Sequence, residues 1–74
     1  MTDGYNVACL VTVTRRKMTT LVEITGPRLH HHHTLWGPVP DHECEALVIG
    51  SGWVLAGRRI QRGDGWQQEI RSVI

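Results

Sequence analysis

The most regular stretch of the chain alternates between apolar and polar positions. Tyr5, Val7, Cys9, Val11 and Val13 are interleaved with Asn6, Ala8, Leu10, Thr12 and Thr14. A period of two, rich in β-branched residues, specifies a half-buried strand with the odd positions turned to the core. Arg15, Arg16 and Lys17 interrupt it as a charged turn. Met18 to Thr25 then reads as the returning strand, with Met18, Val22 and Ile24 on one face and Thr19, Leu21 and Glu23 on the other. Gly26 and Pro27 end it, because proline has no N–H to give to a ladder.

Leu29 to Trp36 spells LHHHHTLW. Read as an extended segment, it puts Leu29, His31, His33 and Leu35 on one face and His30, His32, Thr34 and Trp36 on the other. So many polar side chains suit a strand at the edge of a sheet. Gly37, Pro38, Val39 and Pro40 stop it. Asp41 follows as a good helix-capping residue, and Glu43 and Glu45 fall in a first turn where the helix dipole favours negative charge. Cys44, Leu47 and Val48 recur at helical spacing, and Gly50, Ser51 and Gly52 close the helix.

Alternation resumes from Trp53 to Gln61, which predicts one strand with Val54, Ala56 and Ile60 on a shared face and Arg58 between them. Arg62, Gly63, Asp64 and Gly65 form a turn by composition. Trp66 to Ile74 reads as the last strand, with Trp66, Ile70 and Ile74 inward and Gln67, Glu69 and Arg71 outward. The predicted order is β-β-β-α-β-β: an α+β domain in which a short helix packs on one face of a small antiparallel sheet.

Seventy-four residues give room for a single domain, 1–74. A chain of this size buries only about 60% of the surface it exposes when unfolded, so its core is thin. Phe is absent, and three Trp and one Tyr must supply the large core volumes. A net charge of +1 argues against strong general affinity for polyanions, though a local basic patch is compatible with it. Two cysteines, Cys9 and Cys44, are fewer than a small secreted scaffold carries. The opening MTDGYNVACLVTVTRR lacks the layout of a signal peptide, and no apolar run reaches the length of a membrane span. The expectation is a cytoplasmic protein, not a membrane protein, with two reduced thiols packed as small hydrophobes.

The stretch Leu35-Trp36-Gly37-Pro38-Val39-Pro40-Asp41, followed by Glu43-Cys44-Glu45-Ala46 and Gly52-Trp53, resembles a pattern of short bacterial and phage proteins. In these, a strand ending in aromatic-Gly-Pro-apolar turns into a capped helix carrying Glu-Ala, and a Gly-led strand follows. The resemblance covers about twenty residues. It implies a phage or mobile-element accessory protein and carries no functional residue across. Peptidoglycan-binding SPOR domains share a similar Gly-Pro corner, but their second helix has no counterpart here.

Two groups of residues carry candidate chemistry. Neutral imidazole is a common zinc ligand, and on a strand His31 and His33 point the same way. With His42 and Cys44 just past the corner they make a candidate zinc set, although the spacing matches no standard motif. The alternatives are a solvated edge or a surface that charges up in acid. The second group is basic. Arg15, Arg16 and Lys17 lie in the first turn, and Arg58, Arg59 and Arg62 on or after the fourth strand. Converged, and with Trp36 available for stacking, they would grip phosphates or an acidic protein surface. Arg62-Gly63-Asp64 spells an adhesive tripeptide, but it sits where a hairpin turn needs these residue types.

Catalysis finds little support. The chain has no Gly-rich phosphate loop and no nucleophile elbow, and Glu43 and Glu45 at i, i+2 on a helix do not face each other. The sequence therefore points to a non-enzymatic binding protein that modulates or inhibits a protein partner and needs no cofactor, with self-association as a homodimer also compatible. A nucleic-acid-binding module and a metal-stabilised domain are the alternatives.

Overall fold

The computed structural model describes residues 9–72. Seven elements follow one another: β1 (Cys9–Arg15), β2 (Thr19–Gly26), β3 (Leu29–Trp36), α1 (Asp41–Gly50), β4 (Trp53–Leu55), β5 (Ile60–Arg62) and β6 (Gly65–Ser72). The six strands form one antiparallel sheet in the order β3-β2-β1-β6-β4, with β5 also paired to β6. This is the α+β arrangement that the alternating and helical patterns predict. The inward placements expected for Tyr5, Val7 and Ile74 fall outside the described residues.

Register explains the core. Val11 lies opposite Ile24, and Val13 lies between Val22 and Trp66. Directly opposed residues share a face, so these side chains form one apolar layer. Val39, Cys44 and Val48 cover it from the corner and the helix, and Ile70 completes it. The opposite face of the sheet is built from Thr12, Glu23, His30, His32 and Gln67, and it carries no second layer among the described residues.

Four local expectations are corrected. Met18 is not the first inward residue of the second strand: it sits in the turn and is 68% exposed. Thr20 occupies that row, fully buried, its hydroxyl donating to the Gly37 carbonyl and accepting the Val39 N–H. Asp41 is not the N-cap: Pro40 holds that position, and Asp41 is the first helical residue. Glu45 lies beyond the first turn, where Asp41 and Glu43 are the acidic residues.

The fourth correction concerns the predicted strand from Trp53 to Gln61. It is two strands, β4 and β5, that share one side of β6 end to end. Gly57, at φ 68°, takes a backbone conformation that other residues rarely adopt and breaks the run. The faces are also exchanged: Val54 and Ile60 are exposed, whereas Trp53 and Leu55 pack against the core. Gly65 opens β6 because the chains cross closely there, and a methyl group in its place would run into the Val13 carbonyl.

Candidate functional site

Two regions hold the residues singled out by the sequence. The first is the join between α1 and the sheet. Arg15 is the last residue of β1, on the same face as Val11 and Val13, so its guanidinium reaches under the helix start. It donates to the Val39 carbonyl from Nε at 3.2 Å and from a terminal nitrogen at 2.9 Å, and to the Asp64 carbonyl at 2.8 Å. It also donates to Asp41 Oδ1 at 2.5 Å, an oxygen that takes the Trp66 indole N–H at 2.9 Å as well. The Arg15 guanidinium first, and then the Trp66 N–H, hold the Asp41 carboxyl below its ordinary value.

Arg59 reaches the same place from the opposite side. Its guanidinium lies over the Trp66 ring, donates to Glu45 Oε2 at 2.5 Å and to Gln68 Oε1 at 3.0 Å, and stands 3.8 Å from Asp41 Oδ2. The two basic sets therefore converge, through one member each, on a carboxylate of the chain itself. Arg62 donates to Gln67 Oε1 on the uncovered face. Arg16, Lys17 and Arg58 are exposed in turns. Of the six basic residues expected to meet a phosphate or acidic partner, Arg15 and Arg59 are engaged inside the molecule. Periodicity hides this, because it scores Arg15 as part of a charged turn. The signal available was its odd position, in phase with Cys9, Val11 and Val13.

The histidines lie elsewhere, on β3. His42 is exposed in α1, and Cys44 is fully buried, its thiol pushed up by burial. Among the described residues no three His, Cys, Asp or Glu side chains gather to hold a metal; His31 and His33 lie on β3, and His42 and Cys44 on α1. The strand divides its histidines. His30 and His32 face the uncovered side, with ring centroids 6.1 Å apart and His30 Nε2 3.2 Å from Glu23 Oε2. His31 and His33 stand on the helix side of the sheet, opposite Ile24 and Val22.

β3 is the second region, because it is an edge. It pairs with β2 over all eight residues, and among the described residues nothing pairs with its other side. The Gly37 N–H donates to the Met18 carbonyl, which makes 18 and 37 a hydrogen-bonded pair. Alternation along an antiparallel ladder then turns the backbone groups of Leu35, His33, His31 and Leu29 towards β2. Those of His30, His32, Thr34 and Trp36 point outward. The strand has no proline, lysine or bulge to blunt that edge. It ends in Trp36, which is 83% exposed beside exposed Met18.

Comparison with known proteins finds no matching family model and no match among curated proteins or solved structures. No helix among the described residues is long and apolar enough to cross a membrane.

Proposed function

We propose that this chain is a non-enzymatic protein-binding domain that captures an extended segment along the outer edge of β3. The observation that carries this reading is an eight-residue strand that, among the described residues, is paired on one side only and ends in a solvent-exposed tryptophan. Strand addition of this kind draws affinity from backbone hydrogen bonds and specificity from side chains at alternate positions. Trp36 is the anchor residue, since tryptophan is among the side chains that carry most of an interface's energy once they are covered. The likeness of the Gly-Pro corner to short phage proteins extends the reading to an accessory protein that modulates or inhibits a host protein.

Thr34→Pro tests it. Thr34 turns its N–H outward, so proline there removes a donor from the free edge and leaves the β2 ladder whole. The wild type and this variant, both free of any added tag, are used side by side to capture proteins from cell extract. The reading expects a protein retained by the wild type and lost by Thr34→Pro and by Trp36→Ala. In that complex, hydrogen exchange at the amides of His30, His32, Thr34 and Trp36 slows. A partner that both variants retain, or recovery of nucleic acid alone, overturns it.

A further inference from the structure

The histidine run lies on the strand proposed to capture a partner, and its arrangement names that partner. We infer that β3 pairs with β3 of a second copy of this chain, and that His31 and His33 of both copies together hold a divalent transition-metal ion, zinc by ligand type. This rests on the strand-addition reading and adds the occupant to it.

Register decides how two such edges meet. A two-fold axis perpendicular to the sheet joins two copies edge to edge and keeps both helices on the same side. Residues directly opposite then share a face, and the outward backbone groups of His30, His32, Thr34 and Trp36 must meet the same set in the second copy. Two registers satisfy both conditions with equal overlap. In one, His33 meets its own copy while each His31 faces Leu35, and Leu29 is left without an opposite number in the strand. In the other, His32 lies on the axis, and Trp36 is the residue left without an opposite number in the strand. Every His31 then faces a His33, and every Leu29 faces a Leu35.

The second register matches like with like throughout the helix-side face. It makes a four-imidazole cluster bounded at each end by a leucine pair. Leu29 and Leu35 already pack against the core, so these ends are apolar before the second copy arrives. Within a strand, His31 and His33 are roughly 6.5–7 Å apart along the chain. Across the seam, opposed Cα atoms in a pair of this type lie about 4.5 Å apart. Four imidazoles at such corners converge on a point between the strands, and four nitrogen ligands at about 2.0–2.1 Å complete a tetrahedral zinc shell.

One chain alone supplies only two of these ligands, so no site exists in the monomer. His31 and His33 are also the pair left uncommitted, since His30 is already hydrogen-bonded to Glu23. Their opposite numbers on β2, Val22 and Ile24, are fully buried, which holds the ligand-bearing part of β3 in place from behind.

Sedimentation equilibrium of the untagged full chain tests this, first in chelator and then with zinc chloride at one ion per two chains. The expected result is a dimer whose dissociation constant falls by at least about tenfold when zinc is present. His31→Ala/His33→Ala abolishes that response, whereas His30→Ala/His32→Ala keeps it. All four side chains are exposed, so both variants are expected to fold, and circular dichroism confirms it. Zinc bound one per monomer, or a zinc response that survives loss of His31 and His33, overturns the inference. A dimer indifferent to zinc yet broken by Thr34→Pro also overturns the metal site, while leaving strand addition standing. A chain that stays monomeric with zinc overturns the second copy as occupant, and capture of another protein by the same edge then remains the test of the wider reading.

Discussion

The guanidinium carbon of Arg59 lies 3.7 Å from the centroid of the Trp66 ring. That contact stacks a planar cation on the largest side chain of a core that has no phenylalanine. The same guanidinium holds Glu45 of the helix and Gln68 of the sheet, and so spans the two layers.

Arg59→Ala removes the stacking and both hydrogen bonds, and the expected loss is about 1–2 kcal/mol. For a domain of this size that lowers Tm by roughly 4–8 °C per kcal/mol. Arg59→Lys keeps the charge but not the planar fork, so it recovers less than half of the loss. Thermal melts of the three proteins decide the point, and an Arg59→Ala melt that matches the wild type would show that the stacking contributes nothing.

Asp41 gives stability a defined pH dependence. Its carboxyl is held below the ordinary value of 3.8, chiefly by hydrogen bonds from Arg15 and Trp66. A depressed folded value means that the contribution is whole above the unfolded value and drains away as pH falls through the folded one. Melts between pH 2 and pH 5 are expected to show a stability loss below about pH 3.8 that Asp41→Asn largely lacks. At pH 7 Asp41→Asn is less stable than the wild type, because it loses the ion pair while keeping an acceptor for Trp66. Parallel pH profiles for the two proteins would contradict the assignment.

Among the described residues Thr20 is the one buried polar side chain, and its hydroxyl ties β2 to the corner that precedes the helix. Thr20→Val preserves shape but leaves the Val39 N–H and the Gly37 carbonyl without their partner. The expected cost is about 1–3 kcal/mol, read from urea unfolding with an unchanged m-value. A cost under about 0.5 kcal/mol would place it with ordinary surface substitutions and show that water replaces the hydroxyl.

Particular residues show what the sequence makes legible. Val11, Val13, Val22, Ile24, Trp66 and Ile70 are inward, as their alternation requires, because each strand's side-chain period has to match one buried face. Cys44 and Val48 are buried at helical spacing for the corresponding reason. The arginine–aspartate cluster is not legible in this way. Asp41 carries the local signature of a helix cap, but a guanidinium 26 residues away in the sequence competes for its carboxylate and wins. The exchange of faces in β4 and β5 is equally hidden: the odd positions Leu55 and Gln61 lie opposite the inward Ile70 and Trp66, a phase set by pairing with β6 and not by the local pattern. The edge position of β3 is legible in its histidines, which suit a strand at the margin of a sheet. The outward direction of particular N–H groups needed the Met18–Gly37 bond to fix the phase.

The centre of the sheet joins distant parts of the chain: Cys9 lies opposite Ile70 and Val13 opposite Trp66. Such non-local pairing closes a large loop before it repays the entropy lost, and domains built this way fold in milliseconds to seconds rather than microseconds. During synthesis the β1–β3 meander therefore emerges with two open edges, and β1 stays unpaired on one side until β6 has been made. For that interval the chain is a better template for strand pairing than the finished fold. A newly made copy is at greatest risk of joining the wrong neighbour through β1, a strand that the native structure pairs on both sides.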